Sequence, residues 1–266
     1  EMCIRDSDNR GMARKLVLMG SGENSPAMVT PHQNVLKAID KSAKRINLDT
    51  PYGFQENADE LTKKIRGYFE TNVGFPIEDV LFRSINDSAP SILDEIDRAT
   101  WLFSGPGSPT YALRVWSETG AEEKIGKVLD RGTVVMASAA AMTMGAKVMP
   151  VYEMYKVGDD PYWLDGLNIL ENATGIKATV IAHYNNNQGG THDTRFCFAG
   201  KRRMDILESL LDAEIGILGL DEHTGVAFDL DLGTADVFGK GEVTFKSRGE
   251  EKKFLPKNTY KITEFK

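Results

Sequence analysis

Residues 133–145 read TVVMASAAAMTMG, an apolar β-rich run that turns into a small-residue helix with Ser138 at the junction. Small residues allow close packing, which is one reason to find serine and alanines together. The same pattern suits a nucleophile elbow, where a strand turns tightly into a helix and a hydroxyl stands at the apex among small neighbours. The run Gly132–Ala146 is too short and too rich in Ser, Thr and Gly to span a bilayer.

Working outward, short apolar runs alternate with helical patterns. KLVLM (15–19), RINLD (45–49), DVLFRSI (79–85), ATWLF (99–103), TVVMA (133–137), ATVIAH (178–183) and EIGILGL (214–220) read as buried strands. NVLKAIDKSAK, NADELTKKIRGYF, AEEKIGKVLDRG and KRRMDILESLLD have helical spacing between them. Such alternation predicts an α/β fold, a three-layer sandwich whose mostly parallel sheet carries helices on both faces. After Glu222, TGVAFDL, ADVFG and EVTFK are separated by Gly-containing turns, which predicts a C-terminal antiparallel extension at the sheet edge. No repeat or linker interrupts the pattern, so residues 12–266 are expected to form one domain. Residues 1–11, EMCIRDSDNRG, are polar and unpatterned and are placed outside it.

Composition narrows the function. A chain of 266 residues that is 41% hydrophobic can bury a core, and its net charge of −7 argues against a nucleic-acid partner. Two cysteines give no disulfide framework, and no charged-then-apolar leader opens the sequence, so a cytoplasmic, membrane-free protein is expected. A homodimer stays open.

Ligands of parallel α/β sheets sit at the carboxyl ends of the strands. Gly20–Glu23, Ser104–Ser108, Ser138, His183 and Glu222 all fall at such ends. A serine, a histidine and a carboxylate in that order suit nucleophilic catalysis, with the acid fixing the imidazole tautomer. In FSGPGSP (103–109), Pro106 has no N–H, so Gly105 or Gly107 would donate to an oxyanion, together with the N–H of Ala139. His183 is favoured as base over His192, which lies in a Gly-Gly loop. VYEMYKVGDDPYWLDG (151–166) reads either as a lid or specificity loop or as a packed surface segment.

Rival readings are weaker. LVLMGSGENS with Asp49 mimics a dinucleotide site, but Ser25 stands at the third glycine and Pro26 follows. His183, His192, Asp193, Glu222 and His223 lack metal-ligand spacing, and no metal or cofactor is expected. A glutamine amidotransferase needs a cysteine at the elbow, whereas Cys197 lies in another segment.

The order strand–SGPGSP–helix, strand–ASAAA–helix, strand–His, then GLDEHTGVAFDL and hairpins resembles the cyanophycinase and dipeptidase E family of serine peptidases, over about Lys15 to Phe245. The resemblance implies a class I glutamine-amidotransferase-like fold, with Ser138 as nucleophile, His183 as base and Glu222 as acid. It also implies cleavage of a small amide or peptide beside an aspartyl residue. Specificity for a carboxylate needs a fixed cation, for which Arg195 and the Lys201–Arg203 run are available; a solvated helix start is the other reading of that cluster. His192 and Asn185 join Arg195 as expected substrate contacts. The sequence departs from the family elbow by carrying Met136 and Ala140 where glycines are usual, which leaves a catalytically degenerate, ligand-binding member as the alternative.

Overall fold

The computed structural model describes residues 13–40 and 42–266, so the segment 1–11 assigned outside the fold lies outside the described residues. Five strands run parallel: β1 (Lys15–Met19), β2 (Arg45–Leu48), β3 (Glu78–Val80), β4 (Trp101–Ser104) and β5 (Thr133–Ala137). They lie side by side in the order β1-β5-β4-β2-β3. Helices α1 (Val29–Leu36), α2 (Ala58–Tyr68), α3 (Pro90–Asp97), α4 (Pro109–Thr119) and α5 (Ala121–Val128) make or extend the crossovers.

The layers follow from the two-residue period of a strand. Leu16 and Leu18 of β1 join Leu102, Val134 and Met136 on one face, under Val115 and Trp116 of α4 and Ile125 of α5. Val17 and Met19 turn to the other face with Trp101, Phe103 and Val135, under Leu36 of α1 and Ile65 of α2. Strands buried on both faces carry apolar residues at every position, which is why these runs do not alternate.

Beyond the turn α6 (Ala139–Thr143), the small ribbon β6 (Lys147–Val148) and β7 (Leu164–Asp165) leads through α7 (Ile169–Thr174) to β8 (Ala178–Ile181). Helix α8 (Gly200–Ser209) connects it to β9 (Gly216–Leu220). The chain then adds β10 (Thr224–Asp229), β11 (Thr234–Gly239), β12 (Val243–Ser247), β13 (Glu250–Phe254) and β14 (Thr259–Lys261). Strands β10, β11 and β14 extend the main sheet antiparallel beyond β1.

One expectation is corrected here. ATVIAH and EIGILGL do not continue the main sheet; β8 and β9 pair in parallel within a second sheet of order β13-β12-β9-β8. EVTFK accordingly pairs with β9, not with the preceding hairpin. The two sheets meet at Gly20, whose amide donates to Thr224 O (2.8 Å) while His183 N donates to Gly20 O (3.3 Å). A methyl group on Gly20 would come within 2.2 Å of the Asp221 carbonyl oxygen, so only glycine lets the strands approach. Two boundaries also shift: α1 starts at Val29 and ends at Leu36, and β3 stops at Val80.

His32 of α1 is a buried group that sequence reading passed over. Its ring packs edge-on against Phe69 at 4.8 Å, and its Nε2–H donates to the Glu23 carbonyl (2.8 Å) while Nδ1 has no partner. Burial pushes the imidazole down from 6.5 to about 4, against the smaller opposing effect of the Glu23 carbonyl. Protonation therefore favours the unfolded chain. The stability this neutral ring preserves is complete above pH 6.5 and is lost as pH falls toward 4, on the order of 3 kcal/mol. Urea unfolding of wild type and His32→Gln across that interval checks this. The variant is expected to lack this part of the slope, and parallel curves would refute it.

Candidate active site

Ser138 caps the strand-to-helix turn between β5 and α6 with φ 52° and ψ −117°, a strained conformation for a residue with a side chain. The surroundings over-determine it. Its N–H donates to Met19 O (2.9 Å) on β1, its carbonyl accepts from Met142 N (3.1 Å), and Ala140 N reaches Gly105 O (3.3 Å). Ala139, Ala140 and Ala141 are buried, the last two in the main core with Ala112 and Val115 of α4 and Val180 of β8. Neither Met136 nor Ala140 has a positive φ; Ser138 alone takes it, so the tight turn forms without the glycines.

His183 follows β8 and brings its Nε2 to 3.0 Å from Ser138 Oγ. Its Nδ1 lies 2.9 Å from Glu222 Oε1, which also accepts from Asn186 Nδ2 at 2.8 Å. Burial alone would raise the Glu222 carboxyl, but hydrogen bonds from His183 and Asn186 outweigh it and hold the group below its ordinary value. An ionised Glu222 fixes the proton on Nδ1 and leaves Nε2 free to accept from the serine.

Ser138, Ala139, Gly107, Tyr155, Lys156 and His183 line one cleft of about 240 Å³. Ala139 stands at the first helical position of α6, where an N–H has no intrahelical acceptor. Gly107 (φ 146°) borders the same cleft, and a methyl group there would meet the Pro51 carbonyl oxygen at 2.0 Å. Gly105 is placed differently: its carbonyl engages Ala140, and its Cα faces the Phe103 ring and the Glu23 carboxyl. Glu23 is buried, and desolvation raises its pKa despite its own backbone N–H and the nearby His183 and His223.

The other expected contacts lie elsewhere. Arg195 forks onto Asp193, with Nε–Oδ1 2.9 Å and Nη2–Oδ2 2.7 Å, and does not line the cleft. Asp193 also accepts from Lys201 N (2.9 Å), so the pair clasps the start of α8. His192 stacks on Tyr155 at 6.4 Å and lines a neighbouring hollow with Asp160 and Arg202, leaving His183 alone beside the serine. Asn185 Oδ1 accepts from Glu222 N (2.8 Å), which makes it a positioning residue for the acid. Asn186, missed in the sequence, does the same for the carboxylate. Cys197 lies in the cleft wall, yet burial first and Glu222 second push its thiol up to about 12, so it is no nucleophile at neutral pH. Phe196, Cys197 and Phe198 all have positive φ, a left-handed turn that presents Phe198 to His183 at 6.3 Å.

The residues of the dinucleotide-like stretch are engaged within the fold. Asp49 is fully buried and accepts from Phe82 N, Arg83 Nε and Thr62 Oγ1, leaving nothing for a ribose. His223 Nδ1 faces Ser25 Oγ at 3.4 Å, tying down the GSGENS loop. Among the described residues, no group of three or more His, Cys, Asp or Glu side chains converges to hold a metal ion. No helix among them is long and apolar enough to cross a membrane.

A strained serine on a parallel α/β sheet, linked to a histidine and then a carboxylate, places the protein among the serine hydrolases. The family model of peptidase family S51 matches residues 16–231, and the chain belongs to that family of serine-type peptidases. No curated protein matches the chain. Among solved structures, a peptidase from an acI-B1 actinobacterium is similar with a TM-score of 0.75 at 20% identity, over 94% of this chain and 98% of that one. A peptidase E-like protein of Listeria monocytogenes EGD-e is similar with a TM-score of 0.53 at 14% identity, over 88% and 98% of the respective chains. At these identities the likeness is one of fold.

Proposed function

We propose that the protein hydrolyses a small peptide or amide through an acyl-enzyme on Ser138, with a preference for a bond beside an acidic residue. The observation that carries this reading is the hydrogen-bonded chain Ser138 Oγ–His183 Nε2 (3.0 Å) and His183 Nδ1–Glu222 Oε1 (2.9 Å). As Oγ attacks the scissile carbonyl carbon, its proton passes to His183 Nε2, and Glu222 stabilises the imidazolium. The carbonyl oxygen, now negative, sits between the N–H groups of Ala139 and Gly107. The imidazolium returns the proton to the leaving amine as the C–N bond breaks, leaving an ester on Ser138. Water, deprotonated by the same Nε2, then releases the acid and restores the serine. A cleft of about 240 Å³ favours a short substrate over a folded polypeptide.

A fluorophosphonate probe tests the nucleophile. The expected result is a single adduct on the tryptic peptide bearing Ser138, with turnover of at least one member of a panel of aspartyl, asparaginyl and neutral dipeptides. Labelling without turnover of any substrate would convert the reading into a binding protein with a reactive serine. No labelling would remove the acyl-enzyme.

A further inference from the structure

Arg195 is neutralised by Asp193, so the acidic preference proposed above needs another cation. Among the residues lining the cleft with Ser138, Lys156 is the cationic side chain. Its ammonium lies 4.7 Å from the centre of the Tyr155 ring and has no carboxylate partner among the described residues. In a protein of net charge −7 whose other cations include many in ion pairs, a lone ammonium on a residue that lines the same cleft as Ser138 is a position suited to an anion.

The segment that carries Lys156 is anchored at several points. Met154 is buried in the cluster of Met142, Met149 and Val151, so the turn is packed against the helix that follows Ser138. Glu153 Oε2 accepts from Thr110 Oγ1 (3.1 Å), which ties the same turn to α4. Tyr155 is held by Phe198 at 5.2 Å and by the stacked His192. The chain therefore places one long, rotatable cation on a fixed base at the rim of the cleft.

We propose that Lys156 is the specificity-determining residue that binds a carboxylate of the substrate. The inference rests on the hydrolytic reading only in taking this cleft as the substrate site. An aspartyl side chain and a terminal carboxylate present the same chemistry to an ammonium. The ammonium forms a charge-assisted hydrogen bond that a neutral amide cannot match, and the contact weakens as salt screens it. Lys156 is exposed, so replacing it leaves the core untouched.

Calorimetric binding tests this without requiring turnover, and so separates it from failure of the acyl-enzyme reading. Four probes are compared: N-acetylaspartate, N-acetylasparagine, the α-amide of N-acetylaspartate, and the fully neutral N-acetylasparagine amide. Wild type is expected to bind N-acetylaspartate about tenfold more tightly than the neutral amide, within the range for a partly exposed charged contact. Lys156→Met is expected to erase that difference, and Lys156→Arg to retain most of it. Whichever single amide abolishes the Lys156 effect identifies the carboxylate as side chain or terminal. Equal losses for the neutral amide and N-acetylaspartate in Lys156→Met would overturn the proposal. So would unchanged affinities, or absence of carboxylate binding by wild type.

Discussion

Ser138→Ala is expected to lower kcat by about 10⁴-fold or more while leaving the fold unchanged, because removal of a nucleophile disables all members of a coupled site together. The substitution deletes one oxygen from a side chain whose neighbours are alanines and whose backbone is fixed from both sides. Ser138 N stays bonded to Met19 O and its carbonyl to Met142 N, and neither contact involves the hydroxyl. Alanine inherits the positive φ that serine already bears, so the strain is common to both proteins. His183 loses its bond to Oγ but keeps Glu222 at 2.9 Å. Peptide hydrolysis, fluorophosphonate labelling and thermal melting of the two proteins check this. The expected outcome is loss of the first two with an unchanged melt. Hydrolysis by the variant at the wild-type rate would eliminate the serine as nucleophile.

The legible parts of this site share a cause. Ser138, His183 and Glu222 stand at the carboxyl ends of strands, and strand ends can be read from apolar runs that stop abruptly. The helices on either face were legible from their spacing, as in α2 and α5. The division into two sheets was not, because β8 and β9 have the same buried, apolar composition as the strands of the main sheet. Which sheet they enter depends on Gly20 and on pairing with β12, a partner over twenty residues further on from β9. Arg195 illustrates another limit. A cation two residues from an aspartate can point anywhere in a loop, and only the fold shows the fork closing on Asp193. The run Asn185-Asn186-Asn187 is uniform as sequence, yet Asn185 holds the Glu222 backbone and Asn186 its carboxylate. Lys156 lay within a segment read as either lid or surface. Nothing in its neighbours distinguishes it from the solvated lysines elsewhere.

Asp49, the residue that imitated a ribose-binding acid, is expected to carry the largest single contribution to stability among the polar groups discussed. Its side chain is fully buried. Oδ1 accepts from Phe82 N (2.8 Å), and Oδ2 accepts from Arg83 Nε (2.5 Å) and Thr62 Oγ1 (3.3 Å). Asp49→Ala would strand a buried backbone N–H and leave the half-buried guanidinium with Asp59 alone. Breaking one side of such a pair costs about 3–5 kcal/mol, against roughly 1–3 kcal/mol for an unsatisfied neutral donor. In a chain of this size the melting point should fall by roughly 10 °C. Asp49→Asn keeps an acceptor for Phe82 N and should lose less. The damage should also reach the cleft. Asp49 leads into Thr50, which donates to Phe82 O (2.5 Å) and accepts from Trp116 Nε1 (3.0 Å), and then into Pro51, whose carbonyl receives Ser108 N (2.8 Å) beside Gly107. If that loop shifts, the Gly107 N–H moves off the proposed oxyanion position, and kcat should fall even where the variant is folded. Thermal melts of the two variants, with kinetics measured well below their transitions, decide the matter. Melting points within a degree or so of wild type would mean that water replaces the carboxylate at no cost, and that Asp49 anchors nothing.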